Sequence, residues 1–121
     1  MQALDFADLR YPYPTRFADL PEGKVAYVVD GPESPRGTIV LLHGWLGDLR
    51  GWAAVMPFLA RDYRVVALDF PGYGKSDKSR DRAYGVPLFA DATHHLLASL
   101  GVERATWMGH SLGGQVAAYA A

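Results

Sequence analysis

The chain has 121 residues, half of them hydrophobic, and its 12 basic and 13 acidic side chains leave a formal charge of −1. That length suits one domain burying roughly two-thirds of its unfolded surface, and the balanced charge excludes a global field that would draw nucleic acid or anionic lipid. The lack of cysteine excludes disulfides, thiolate metal sites and cysteine nucleophiles.

The N-terminal MQALDFADLR has neither the basic start nor the apolar stretch of a secretory signal. The longest apolar stretch, Trp52 to Ala60, is broken by Pro57 and falls far short of the ~20 residues a membrane span needs. A soluble, cytoplasmic protein without a membrane partner is expected. A Tyr/Pro-rich extension over residues 1–14 precedes one folding unit over 15–121. In that unit Thr15 to Leu20 and Lys24 to Asp30 read as two strands joined across Pro21-Glu22-Gly23, a hairpin. Gly31 to Gly37 is loop by composition. TIVLLHG, from Thr38, is a β-branched and leucine run ending in glycine, as in a strand buried on both faces.

From Gly51 to Arg61, Trp52, Val55, Met56 and Leu59 share one helical face, and Pro57 must kink or restart that helix. Arg64 to Phe70 repeats the buried-strand pattern, and a glycine-rich loop follows. Leu88, Ala92, Leu96 and Leu100 then recur every four residues opposite Asp91, His94 and Ala98, with Gly101 in the helix-stop position. Arg104 to His110 is the last strand. Buried strands alternating with amphipathic helices indicate an α/β fold: a predominantly parallel sheet with an N-terminal antiparallel hairpin and helices on both faces.

Gly109-His110-Ser111-Leu112-Gly113 fits Gly-x-Ser-x-Gly and falls between a predicted strand and a predicted helix. A strained strand-to-helix turn presents the serine hydroxyl above the sheet edge and crowds the positions two before and two after it, so Gly109 and Gly113 should lack a Cβ. Ser111 is the candidate nucleophile. The Leu112 N–H, at the helix N-terminus, would face the oxygen of a bound acyl group, where the helix dipole favours negative charge. His43-Gly44-Trp45 follows the first buried strand, where Gly44 lets the backbone approach and the Trp45 N–H supplies the second oxyanion donor. His43 itself, at a strand end among backbone turns, reads as structural. The loop from Asp69 to Ser76 ends in Gly-Lys-Ser, yet a phosphate loop needs glycine where Asp69 stands, and the dinucleotide pattern needs one at Asp77. Gly72 and Gly74 read as turn glycines, and no cofactor or metal is implied.

With HGW after one strand, DFPGYGKS after the next and GHSLGG after the third, the sequence closely resembles the α/β-hydrolase superfamily, in particular its single-domain esterase-like and dehalogenase-like branch. The resemblance runs from about Thr15 to the last residue. It implies that Ser111 is the nucleophile, that Trp45 and Leu112 form the oxyanion hole, and that Asp69 is structural. Dehalogenases and epoxide hydrolases of this family carry aspartate at the position of Ser111, so a small-molecule carboxylic ester or related acyl substrate is implied. Perhydrolase-like enzymes, carbon–carbon bond hydrolases and acyltransferases share the serine motif.

The family order places the triad acid and histidine on loops after later strands. His110 adjoins Ser111 but points elsewhere, and His94 and His95 lie on or beside the polar face of their helix, in solvated positions. The expectation is therefore an N-terminal part of a larger serine hydrolase with the later strands absent, nearly inactive alone, with the C-terminal half of the fold as its partner. Two other readings fit: a non-catalytic ligand-binding protein or inactive fragment on the same fold, and a self-sufficient five-stranded domain that binds a ligand at its strand ends.

Overall fold

The computed structural model describes residues 5–121, so the first four residues of the predicted extension lie outside the described residues. Five strands form one sheet: β1 (Arg16–Leu20), β2 (Gly23–Asp30), β3 (Thr38–Leu42), β4 (Arg64–Leu68) and β5 (Thr106–Gly109). Their spatial order is β1-β2-β4-β3-β5. β3 pairs in parallel with both β4 and β5, while β2 is antiparallel to β1 and to β4. Hence β1, β3, β4 and β5 run one way and β2 alone runs the other. The hairpin is the predicted one: Leu20 faces Gly23 across Pro21 and Glu22, and Gly23 opens β2 at a φ of +114°, which glycine tolerates.

Alternation along the strands divides the core between the two faces. Val25, Tyr27, Val40, Leu42, Val66 and Leu68 point to one side, where α2 (Val86–Ser99) and α3 (Leu112–Ala120) cover them with Phe89, Leu96 and Val116. Val28, Ile39, Leu41, Val65 and Ala67 point to the other, beneath Leu49 and Met56. The central strands are thus buried on both faces, as their unbroken apolar runs require. Each fully buried Val or Leu contributes ~1.5–3 kcal/mol from its apolar area.

Pro57 acts as a restart. A 3₁₀ turn over Leu49–Trp52 ends first, and α1 (Met56–Leu59) then begins with the proline in its first turn, where a missing N–H costs nothing. Val55, expected on the buried face, is instead exposed, because two short helical pieces do not keep one stripe in phase. The stripe of α2 is also rotated from the predicted one. Ala92 and Leu96 are buried, but Phe89, Thr93 and Leu97 join them, whereas Leu88 and Leu100 are only partly covered. The cause is the Phe89 ring, stacked on Phe70 at 4.8 Å between centroids. α2 stops where expected. Gly101, at a φ of +72°, donates to the Ala98 carbonyl and Val102 to that of Leu97, the paired bonds of a Schellman cap. Among the described residues β5 pairs with β3 alone and forms an edge of the sheet.

Candidate active site

The site is assembled where the parallel strands β3, β4 and β5 end. Ser111 links β5 to α3 at φ 55° and ψ −116°, a conformation that side-chain-bearing residues rarely adopt. A serine preceding a helix ordinarily caps it through its hydroxyl, but here the Ser111 side chain makes no capping bond and is exposed. The turn folds back so tightly that a Cβ on Gly109 would overlap the backbone of Gly113, and one on Gly113 would overlap the Leu42 carbonyl at the end of β3. Both glycines are therefore steric necessities of this turn. It is pinned to the sheet by the His110 N–H, which donates to the Leu42 carbonyl at 3.1 Å, and closed by the Gly113 N–H on the His110 carbonyl at 3.0 Å.

The loop after β3 lies against this turn. A Cβ on Gly44 would sit 3.1 Å from the Nδ1 of His110, close enough to press on that ring, and 3.5 Å from the Cβ of Ser111, in ordinary contact with it. Gly44 to Gly47 form a β-turn closed by the Gly47 N–H on the Gly44 carbonyl at 3.1 Å, with Leu46 at a φ of +61°. Within this turn Trp45 projects outward, 71% exposed. Among the described residues, neither the Trp45 N–H nor the Leu112 N–H donates to a protein acceptor. A cavity of about 720 Å³ opens here, lined by His43, Gly44, Trp45, Trp52, Gly109 and His110 among others. Phe70 is wholly buried in the core beneath the site, and Leu112 is half-buried against that core.

His43 is buried at the end of β3. Its Nε2 accepts the Phe70 N–H at 3.0 Å, and its Nδ1 lies 2.8 Å from the Gly44 carbonyl, which assigns the proton to Nδ1. Burial pushes its pKa below the ordinary value of about 6.5. The neutral imidazole thus joins the ends of β3 and β4 and spends both nitrogens doing so.

Asp69, wholly buried just past β4, organises the surrounding loops. Its Oδ1 accepts the Leu49 N–H at 2.8 Å; its Oδ2 accepts the Lys75 N–H at 2.8 Å and the Tyr11 hydroxyl. Burial pushes its pKa up, and these donors work against that shift. Gly74, at a φ of +50°, closes over the carboxylate so tightly that a Cβ would overlap Oδ2, and at Gly72, at +88°, one would press on the Tyr84 ring. The Gly-Lys-Ser stretch now has a structural explanation. Ser76 donates to the Asp69 carbonyl at 2.7 Å and accepts the Ala26 N–H at 2.9 Å, stitching the loop to β2.

None of the four histidines hydrogen-bonds to the Ser111 hydroxyl among the described residues. His94 lies 4.6 Å from the Trp107 ring, between centroids. His95 is exposed, as expected, and its Nδ1 also meets both oxygens of the buried Glu22, at 2.8 and 2.9 Å, tying α2 to the hairpin turn. Glu22, at the hairpin turn, carried no sequence signal for this contact, and neither did Tyr11, whose Tyr/Pro-rich surroundings have no periodicity. Among the described residues no three His, Asp or Glu side chains gather as a metal site, and no helix is long and apolar enough to cross a membrane.

Known proteins share this arrangement. The profile of the alpha/beta hydrolase fold family matches residues 37–121. The chain is 38% identical over 86 residues to the uncharacterized hydrolase YugF of Bacillus subtilis, covering 71% of this chain and 32% of YugF. It is 42% identical over 83 residues to the pimeloyl-[acyl-carrier protein] methyl ester esterase of Edwardsiella ictaluri, covering 69% of this chain and 30% of that enzyme. A crystal structure of a probable hydrolytic enzyme from Pseudomonas aeruginosa superposes with a TM-score of 0.88 at 34% identity, over 93% of this chain and 38% of that one. The chain spans about a third of the length of the curated relatives it matches. With its strand order, its serine turn and a family match over residues 37–121, the chain belongs to the alpha/beta hydrolase fold family.

Proposed function

We propose that the chain contributes the nucleophile and the oxyanion hole of a serine hydrolase acting on carboxylic esters. The observation that carries this reading is the Ser111 backbone, held at φ 55° and ψ −116° with its hydroxyl uncommitted among the described residues, beside a glycine turn whose Trp45 N–H has no acceptor among them. A strained, exposed serine of this kind has no packing purpose, because it neither caps its helix nor fills the core. In the proposed reaction Ser111 Oγ attacks the ester carbonyl, and its proton passes to a histidine base. The carbonyl oxygen becomes an anion held by the N–H groups of Trp45 and Leu112. Collapse expels the alcohol, which takes up the proton, and water then releases the acid from the acyl-serine. The methyl ester esterase among the relatives supports an ester as substrate.

None of the described histidines is placed to act as that base, so residues 1–121 by themselves should barely turn over. The test compares this chain with one completed by the part of YugF beyond the matched residues. On 4-nitrophenyl acetate the completed chain should lose on the order of a millionfold in kcat on Ser111→Ala, whereas the 121-residue chain and its Ser111→Ala variant should match. A completed chain that keeps its rate without Ser111 would end the proposal.

A further inference from the structure

We propose that Tyr11 is a positioning residue for the oxyanion turn: its hydroxyl, the Asp69 carboxylate and the Leu49 N–H form a relay from the N-terminal segment to the loop bearing Trp45. The inference rests on the serine-hydrolase reading of that turn.

The relay is built from three segments far apart in sequence. Tyr11 donates to Oδ2 of Asp69 across 58 positions, and Oδ1 of the same carboxylate holds the Leu49 N–H across 20. Leu49 is itself wholly buried and begins the 3₁₀ turn directly after the Gly44–Gly47 turn. The only residue between is Asp48, whose carboxylate accepts the Arg50 N–H at 2.9 Å and the Arg50 guanidinium, so the segment from Gly47 to Arg50 is held by two carboxylates, its own Asp48 and the distant Asp69. A wholly buried carboxylate must keep its donors, because an unpaired buried charge is costly. Its orientation therefore fixes the orientation of everything bonded to it. Oδ2 is shared between Tyr11 and Lys75 while Oδ1 serves Leu49 alone, so removing the phenol frees the carboxylate to swing toward Lys75 and slackens its hold on Leu49.

The N-terminal segment is seated for this purpose. Tyr11 packs on the core cluster under Leu49 and Met56, and the Lys75 ammonium lies 4.5 Å over its ring. Further up the segment Phe6 receives the Lys78 ammonium at 4.3 Å, and Lys78 also donates to the Gly74 and Ser76 carbonyls. Among the described residues the segment is thus fastened to the glycine loop at two aromatic residues, of which Tyr11 reaches through to the carboxylate behind it. A hydroxyl with a merely packing role would not end on the carboxylate that holds the next loop.

The test uses ¹⁵N-labelled chain and three forms: native, Tyr11→Phe and Tyr13→Phe. Tyr13 is the control, since its hydroxyl faces Asp30 at the opposite end of β2. Tyr11→Phe should move the Leu49 and Trp45 amide resonances and speed Leu49 amide exchange by about tenfold or more, leaving the β5 amides of Thr106 to Gly109 as they were. Tyr13→Phe should leave Leu49 and Trp45 in place. Unmoved Leu49 and Trp45 resonances in Tyr11→Phe would overturn the relay. So would an exchange increase of equal size at Leu49 and Met108, which would make Tyr11 a contributor to global stability only. Both readouts are independent of turnover, so a failure of the hydrolase reading would show in the kinetics and not here.

Discussion

At residue 111 two demands on one backbone meet: a helix must begin, and a hydroxyl must stay clear of it. The chain resolves this with a φ of 55°, which for a residue with a Cβ costs on the order of 1–3 kcal/mol. Replacing Ser111 by glycine removes that strain at an entropic cost of roughly 0.5–1 kcal/mol, and no hydrogen bond is lost. Urea unfolding should therefore find Ser111→Gly more stable than Ser111→Ala by about 1 kcal/mol. Equal midpoints would mean that the turn is relaxed and its tightness is no store of strain. The glycines on either side were legible in sequence because their cause is steric and local. His43, at a strand end among backbone turns, has a backbone partner on each ring nitrogen. Tyr11 and Glu22 were not legible, since their partners Asp69 and His95 lie 58 and 73 positions away and nothing local marks the pairing.

Among the elements, strands were read more accurately than helices. β3 and β4 begin at the predicted residues, Thr38 and Arg64, because burial on both faces leaves an unbroken apolar run that few other structures tolerate. The helical stretches shifted in phase where a large side chain or a proline took control. Phe89 turned α2 by sinking its ring onto Phe70, and Pro57 split the stretch before β4 in two. The end of α2 was predictable from Gly101, whose positive φ serves the Schellman cap and nothing else: a Cβ there would meet no atom within 4 Å. Gly101→Ala should thus cost only the backbone term, about 1 kcal/mol in unfolding free energy, and Gly101→Asn less. A loss of several kcal/mol measured by urea unfolding would point to a packing role that the open surroundings of Gly101 do not provide.

At the scale of the whole molecule, one sheet places three loop systems side by side. The loops after β3, β4 and β5 carry the Gly44–Gly47 turn, Asp69 and Ser111, and they meet because those three strands are parallel neighbours that end together. The reversed strand β2 and its partner β1 stand outside this group and brace it through Ser76 and Glu22. Sequence order alone could not give the spatial order β1-β2-β4-β3-β5, yet it placed each motif at a strand end, and that was enough to gather the site. The central claim is that Ser111 is the attacking group. Its most direct test is a fluorophosphonate reacted with the chain completed by the later strands of a relative, followed by peptide mapping. The adduct should lie on Ser111 and vanish in Ser111→Ala; an adduct on another residue, or equal labelling of the variant, would contradict the account.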